Sequence, residues 1–184
     1  EFNLYRNRTT TMATFLRKGG DFPHSKARSG AAHEDVSKYF LDRAARLACL
    51  GGLVGMVAPS VVYNGDGCVG LRRLLLREAA VERFYGFENR HKVFPIDSRY
   101  KFVSLAFRKG KCEADSFEAA FMRHDLDELE STARQREPGR EKVRPVAAPW
   151  IVTMRREEID RLSPDTSAFL EYRSPCDEDI VRRM

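Results

Sequence analysis

The sequence predicts an α/β fold, and three observations carry that expectation. A helical stripe ends at Gly51-Gly52 and is followed at once by a continuous apolar run, Leu53–Ala58. Two further apolar runs, Val81–Phe87 and Tyr100–Phe107, flank a loop crowded with polar and cationic side chains. Helix and strand patterns therefore alternate, as they do in layered sheets covered by helices.

Residues 1–32 read as a loop-rich N-terminal segment, with few periodic apolar positions and many Thr, Arg, Gly and Ser. His24 and His33 lie in polar surroundings there and read as solvated. Residues 33–122 hold the α/β unit. Asp35 is placed to cap a helix whose buried stripe is Val36, Tyr39, Phe40, Ala44, Leu47 and Ala48. Gly51-Gly52 supplies the left-handed stop. The run Leu53–Pro59 suits a strand covered on both faces. In Tyr100–Phe107 both alternating faces are apolar, so an interior strand is expected, closed by the basic turn Arg108-Lys109-Gly110-Lys111. Phe117–Met122 reads as one more strand.

Residues 123–184 read as a linker and short helices. Asp125 is placed to cap an acidic helix over residues 126–132, and residues 133–149 form a connector rich in Arg, Glu and Pro. Asp125, Asp127, Glu128 and Glu130 read as a solvated face. Ser163-Pro164 and Ser174-Pro175 each pair a capping serine with a proline suited to the first helical position. Helices over 164–172 and 175–184 are expected.

The totals exclude several classes. With 42% apolar and 32% charged residues over 184 positions, the chain is neither disordered nor bilayer-spanning. A net charge of +5 favours polyanionic partners. Cys49, Cys68, Cys112 and Cys176 show no metal-ligand spacing and fit reduced thiols in a cytoplasmic protein. No nucleophile elbow, P-loop or H-E-x-x-H motif occurs. Gly65, Gly67 and Gly70 match G-x-G-x-x-G, which offers a small dinucleotide-binding domain as one alternative. Pro59 ends the preceding strand well before the first glycine, which removes the tight strand-to-turn geometry that motif requires. The loop between the second and third apolar runs carries Phe94-Pro95, an aromatic held stiffly where a flat group can stack.

Residues 36–110, taken as one pattern, resemble DNA adenine-N6 methyltransferases, in particular the large fused methylases of type IIG-like restriction–modification and phage-defence systems. The words that carry the likeness are Tyr39-Phe40-Leu41-Asp42-Arg43-Ala44, Gly52-Leu53-Val54-Gly55-Met56-Val57-Ala58-Pro59-Ser60, Leu71-Arg72-Arg73-Leu74-Leu75, Phe87-Glu88-Asn89-Arg90 and Phe94-Pro95-Ile96-Asp97-Ser98-Arg99-Tyr100-Lys101-Phe102. Ala120–Leu126, Leu162-Ser163-Pro164 and Leu170–Ser174 extend it. The resemblance implies the later strands of a partial Rossmann-like S-adenosylmethionine methyltransferase sheet, ending in an antiparallel hairpin, with a C-terminal helical extension leading to a specificity region. It implies that Phe94 stacks on a flipped adenine and that Arg90, Lys92, Arg99 and Lys101 meet DNA phosphates. The family's Asn/Asp/Ser-Pro-Pro-aromatic tetrapeptide is missing from these residues, as are its cofactor loop and ribose-binding acid. In order of sequence they belong upstream of residue 1. S-adenosylmethionine is therefore expected in the complete enzyme and not on this chain alone, and the expected partners are DNA and the upstream portion of the methylase or a partner chain. A non-catalytic DNA- or partner-binding module derived from such a methylase is the other alternative.

Overall fold

The computed structural model describes residues 2–26, 35–110, 114–128 and 150–183. Its centre is a mixed five-stranded sheet. The strands are β1 (Leu53–Pro59), β2 (Ala79–Glu88), β3 (Lys101–Lys109), β4 (Ser116–Arg123) and β5 (Val152–Arg155). They lie in the order β1-β3-β2-β4-β5. β3 runs antiparallel between β1 and β2, β4 is parallel to β2, and β5 closes antiparallel on β4. The helices are α1 (Phe2–Lys18), α2 (Val36–Leu47), α3 (Val61–Asn64), α4 (Val69–Arg77), α5 (Arg156–Leu162) and α6 (Pro175–Arg183).

One face of the sheet carries the main core, built from Val54 and Ala58 of β1, Val103, Leu105 and Phe107 of β3, Phe84 of β2 and Phe121 of β4. Leu41 and Ala45 of α2 and Leu71 and Leu75 of α4 cover it. Strand periodicity puts the odd-numbered residues of β3 on this face and Phe102 on the other. On that other face Tyr85, Phe87, Phe102 and Ala120 form a smaller cluster with Val93, Trp150 and Ile151.

Local signals behave as the sequence predicts in several places. The Asp35 carboxylate accepts from the Ser37 amide at 2.8 Å and caps α2. Pro175 opens α6. Gly51 is left-handed at φ 77°, but it turns the chain into β1 and does not stop α2, which ends at Leu47 with Ala48 as its cap at φ −61°. β3 is interior, and β2 and β3 form the antiparallel hairpin.

Other expectations are corrected. Residues 2–18 form a helix, not a loop, and none of its residues is buried. The expected stripe of α2 is buried only in part: Tyr39 is buried and Ala44 and Ala48 pack against the core, but Leu41 and Ala45 complete the buried face while Val36, Phe40 and Leu47 are exposed. Polar bonds turn the helix that way, because buried Asp42 accepts from the Ser25 hydroxyl and the His24 amide. β1 is an edge strand, not a strand covered on both faces: among the described residues it pairs only with β3, and Leu53 and Val57 are more than half exposed. The helix expected over 164–172 is absent. That segment runs irregularly so that Phe169 and Tyr172 reach the core, and the Phe169 amide donates to the Tyr63 carbonyl at 3.0 Å. The acidic helix after Asp125 begins at Asp127. Its residues 129–132, the connector over 133–149, His33, Lys111 and Cys112 lie outside the described residues. No described helix is long and apolar enough to cross a membrane.

Candidate nucleic-acid interface

The β2–β3 hairpin puts its loop, residues 89–100, at one end of the sheet. Asn89 organises that loop. It is fully buried, its Nδ2 donates to the carbonyls of Phe94, Ile96 and Asp97, and its Oδ1 accepts from the Phe94 amide at 2.9 Å. One side chain thus replaces the backbone ladder that a tight hairpin turn would supply. Lys92 takes the left-handed conformation at φ 55° as the chain turns out of the short 3-10 segment Asn89–His91.

Phe94 stands on an aromatic base. Its ring meets Phe102 edge-on, with centroids 5.0 Å apart. Phe102 in turn stacks on its cross-strand partner Phe87 at 5.3 Å and 13°. The ring of Phe94 remains partly open to solvent, at 37% residue exposure. An aromatic with a buried underside and an open side, on a clamped loop, has the geometry of a stacking platform.

The four cations named from sequence sit around this loop, each with an internal partner. Arg90 Nε donates to Glu88 at 2.6 Å, Arg99 grips Asp97 at 2.8 Å, and Lys92 Nζ reaches the Ile96 carbonyl at 2.9 Å. Lys101 is the most enclosed, bonded to Glu171 at 2.5 Å. Glu171 also accepts from the Tyr63 hydroxyl at 2.7 Å, so it ties β3, α3 and the C-terminal segment together. Burial pushes the Tyr63 phenol well up, and its bond to Glu171 adds to that. Arg90 and Arg99 keep side-chain exposures of 64% and 89%, so they can reach a partner without unfolding the loop.

Sequence reasoning missed Glu88, Asn89, His91 and His124. Glu88 ends β2, nearly buried, with Arg90, His124 at 3.2 Å and Lys101 at 4.0 Å around it. His91 holds Asp125 at 2.5 Å and so latches the loop to the end of β4. A buried acid and asparagine ending an apolar strand, Phe87-Glu88-Asn89, was the available signal. The Arg90 guanidinium keeps the Glu88 carboxyl below its usual range against the opposing effect of burial, with His124 and Lys101 assisting. The native state therefore binds this proton less readily than the unfolded chain. Its stabilisation is complete above the unfolded carboxyl value, about 4.3, and is lost as pH falls through the lower native value. Glu88→Gln is expected to lower stability by ~1–3 kcal/mol at neutral pH. The gap to the unchanged protein should close as pH falls below about 4.3, as read from urea midpoints over a pH series.

The glycines at 65–70 are engaged in packing. The Gly65 carbonyl accepts from Arg72 at 2.7 Å, Gly67 is buried, and a Cβ on Gly70 would strike the His24 carbonyl oxygen. α3 separates β1 from this stretch, so the tight strand-to-glycine turn of a dinucleotide cradle does not form here.

No protein-family model matches the chain, and no curated protein does. Solved structures do. The chain superposes on the type IIG restriction endonuclease BpuSI with TM-score 0.56 and 14% identity, over 83% of this chain and 18% of that one. It matches the methyltransferase subunit of a type I restriction–modification system from Streptococcus thermophilus with TM-score 0.53 and 15% identity, over 83% of this chain and 33% of that one. A component of a type I restriction–modification system, solved in work on its assembly and conformational transition, matches with TM-score 0.52 and 14% identity, over 84% of this chain and 40% of that one. The chain thus spans less than half the length of each. At such identity the likeness is one of fold: the chain has the fold of a portion of the restriction–modification methyltransferases.

Proposed function

We propose that this chain is the later part of a DNA adenine-N6 methyltransferase from a restriction–modification or defence system, and that it supplies a stacking platform and DNA contacts. The observation that carries this reading is Phe94, half-open and seated on Phe102, on a loop clamped by Asn89. A base to be methylated must leave the duplex, and stacking against a flat ring holds it outside. Arg90, Lys92, Arg99 and Lys101 surround the platform and would meet phosphates. For Arg99, whose pair with Asp97 is open to solvent, the exchange costs only about 0–1 kcal/mol; Lys101 and Arg90 meet more enclosed carboxylates.

The upstream portion of the methylase, or a partner chain, would bring the amino-group ligands and the S-adenosylmethionine site, and this chain alone would transfer no methyl group. The edge of β1, which pairs on one side only among the described residues, and the exposed apolar side chains Val36, Phe40, Leu47, Leu53 and Val57 support that reading, because such a surface suits a covering partner. A methylase-derived binding module is the second reading, favoured by the lack of an Asn-Pro-Pro-aromatic sequence within the 184 residues.

Phe94→Ala in the completed enzyme is expected to lower methylation about 5- to 150-fold, the equivalent of ~1–3 kcal/mol of stacking. Duplex affinity should change less than about twofold by comparison. Parallel methylation kinetics and equilibrium binding decide the matter. Equal loss in both, or no loss in either, would remove the stacking role.

A further inference from the structure

A cleft of about 300 Å³ opens between the ends of β2 and β4 and the segment before α6. It is lined by Glu88, Arg90, Phe121, Met122, Arg123, His124 and Arg173. Its size is at the small end of the range of ligand pockets, roughly 300–1,000 Å³. Arg123, His124 and Arg173 had no part in the sequence-derived site.

Two features build this cleft. The first is a bulge in β4. Tyr85 pairs with Ala120, but Phe87 pairs with Arg123, so β4 carries one extra residue there. Met122 lies in that interval and takes a left-handed φ of 56°. Such a value is uncommon for a long unbranched side chain, and bulges re-aim the residues beside them. Arg123 and His124 follow it directly into the cleft. The second is the cap of α6. The Asp177 carboxylate accepts from the amides of Arg173 at 2.8 Å and Ser174 at 3.1 Å, which fixes the backbone that carries Arg173.

The charges do not balance. Glu88 is already met by Arg90 and His124, and Arg123 makes a double bond pattern to Glu128 at 2.6 Å. Among the described residues Arg173 has no carboxylate partner. Its Nε contacts only the Met122 sulfur, at 3.4 Å. A thioether is a weak acceptor and leaves most of the guanidinium donors unspent. An exposed guanidinium over a pocket, with its fork of donors free, suits a phosphate more than any neutral group.

We propose that this cleft holds a backbone phosphate of the nucleic-acid strand whose base meets Phe94, with Arg173 as its principal ligand. The proposal rests on the reading of Phe94 given above. Glu88 and Arg90 line the cleft and border Asn89, which clamps the loop that carries Phe94, so cleft and platform lie at the same end of the sheet. Arg123 and His124 would assist, and Glu88 would hold Arg90 in place beside the phosphate.

The test uses the whole chain and two probes. In the first, amide chemical shifts are followed while inorganic phosphate is added. Shifts confined to residues 122–124 and 173, absent in Arg173→Gln, support the site; no shift, or the same shifts in the variant, overturns it. In the second, a single-stranded oligonucleotide is bound at several salt concentrations by the unchanged chain, Arg173→Gln, Arg173→Lys and Phe94→Ala. Arg173→Gln should weaken binding and reduce the slope against log salt by about 0.7, while Arg173→Lys restores the slope. If Phe94→Ala weakens binding and Arg173→Gln leaves the slope unchanged, the cleft proposal fails and the platform stands. If phosphate binds the cleft but the oligonucleotide binds nowhere, the cleft serves a free phosphate compound and the nucleic-acid occupant is ruled out. Arg173 is exposed, so a thermal melt serves as the folding control.

Discussion

Replacing Arg72 with methionine is expected to cost ~3–5 kcal/mol of folding stability. Arg72 lies in α4 and is completely buried. Among the described residues no carboxylate forms an ion pair with it, although Asp66 lies near enough to favour its charge. Instead its Nε donates to the Thr166 carbonyl at 3.0 Å, and its Nη1 to the carbonyls of Val62 at 3.2 Å and Gly65 at 2.7 Å. One guanidinium therefore joins the end of α3, the turn after it and the segment leading to Phe169. Burial holds its pKa below the usual arginine value.

Two effects compete at this position. Burying a cation is expensive, and one Arg72 nitrogen, Nη2, finds no hydrogen-bond partner among the described residues. An apolar replacement of similar length recovers that cost, which is why buried ion pairs exchanged for apolar side chains are often neutral. Here, however, the partners are main-chain carbonyls that remain when arginine goes. Methionine satisfies none of the three; the Gly65 carbonyl keeps the Cys68 amide at 3.1 Å, but those of Val62 and Thr166 lose this donor, at about 1–3 kcal/mol each. The carbonyls outweigh the recovered desolvation. Urea unfolding should show a lower midpoint with an unchanged slope, and Arg72→Lys should recover only part of the loss because one ammonium cannot span all three acceptors. A cost below about 1 kcal/mol for the methionine variant would mean that those carbonyls find water.

What the sequence revealed about this fold follows from how local each signal is. Asp35, Gly51 and Pro175 act on their own backbone, and each does so here as its chemistry requires. The runs that became β1, β2 and β3 are apolar enough to name strands without a neighbour in view. Which face of α2 is buried depends instead on Ser25 and His24 meeting Asp42, contacts made across 17 and 18 residues. The same holds for residues 164–172. A serine and a proline favour a helix locally, but Phe169 sits against Phe84 and Phe117 in the core only from an irregular chain. α1 was illegible for the opposite reason: it buries nothing, so no amphipathic stripe was needed to form it. Phe94 and the four cations were visible as a basic aromatic loop. The parts that give the site its shape, the Asn89 clamp and the β4 bulge at Met122, are hydrogen-bond and register facts that composition does not encode.

The second large effect concerns that clamp. Asn89→Ala is expected to lower stability by ~2–4 kcal/mol and to release the loop that carries Phe94. The amide side chain has two donor hydrogens and meets three carbonyls, so at least one bond is shared. Alanine removes all three contacts together with the acceptor for the Phe94 amide. No nearby side chain replaces them, because Lys92 already serves the Ile96 carbonyl from outside. Hydrogen exchange at the Phe94 amide should accelerate far more than at the β2–β3 ladder, since that amide depends on Asn89 Oδ1 and the ladder does not. Asn89→Asp separates the two halves of the clamp. It keeps an acceptor for the Phe94 amide but sets a carboxylate against three carbonyl oxygens, so it should destabilise at least as much as alanine. In a completed methylase both variants should reduce methylation at least as far as Phe94→Ala, because a platform that moves cannot hold a base still. If Asn89→Ala leaves the Phe94 amide protected, the loop is held by its proline and by the Phe94–Phe102 contact. The clamp would then belong to folding alone.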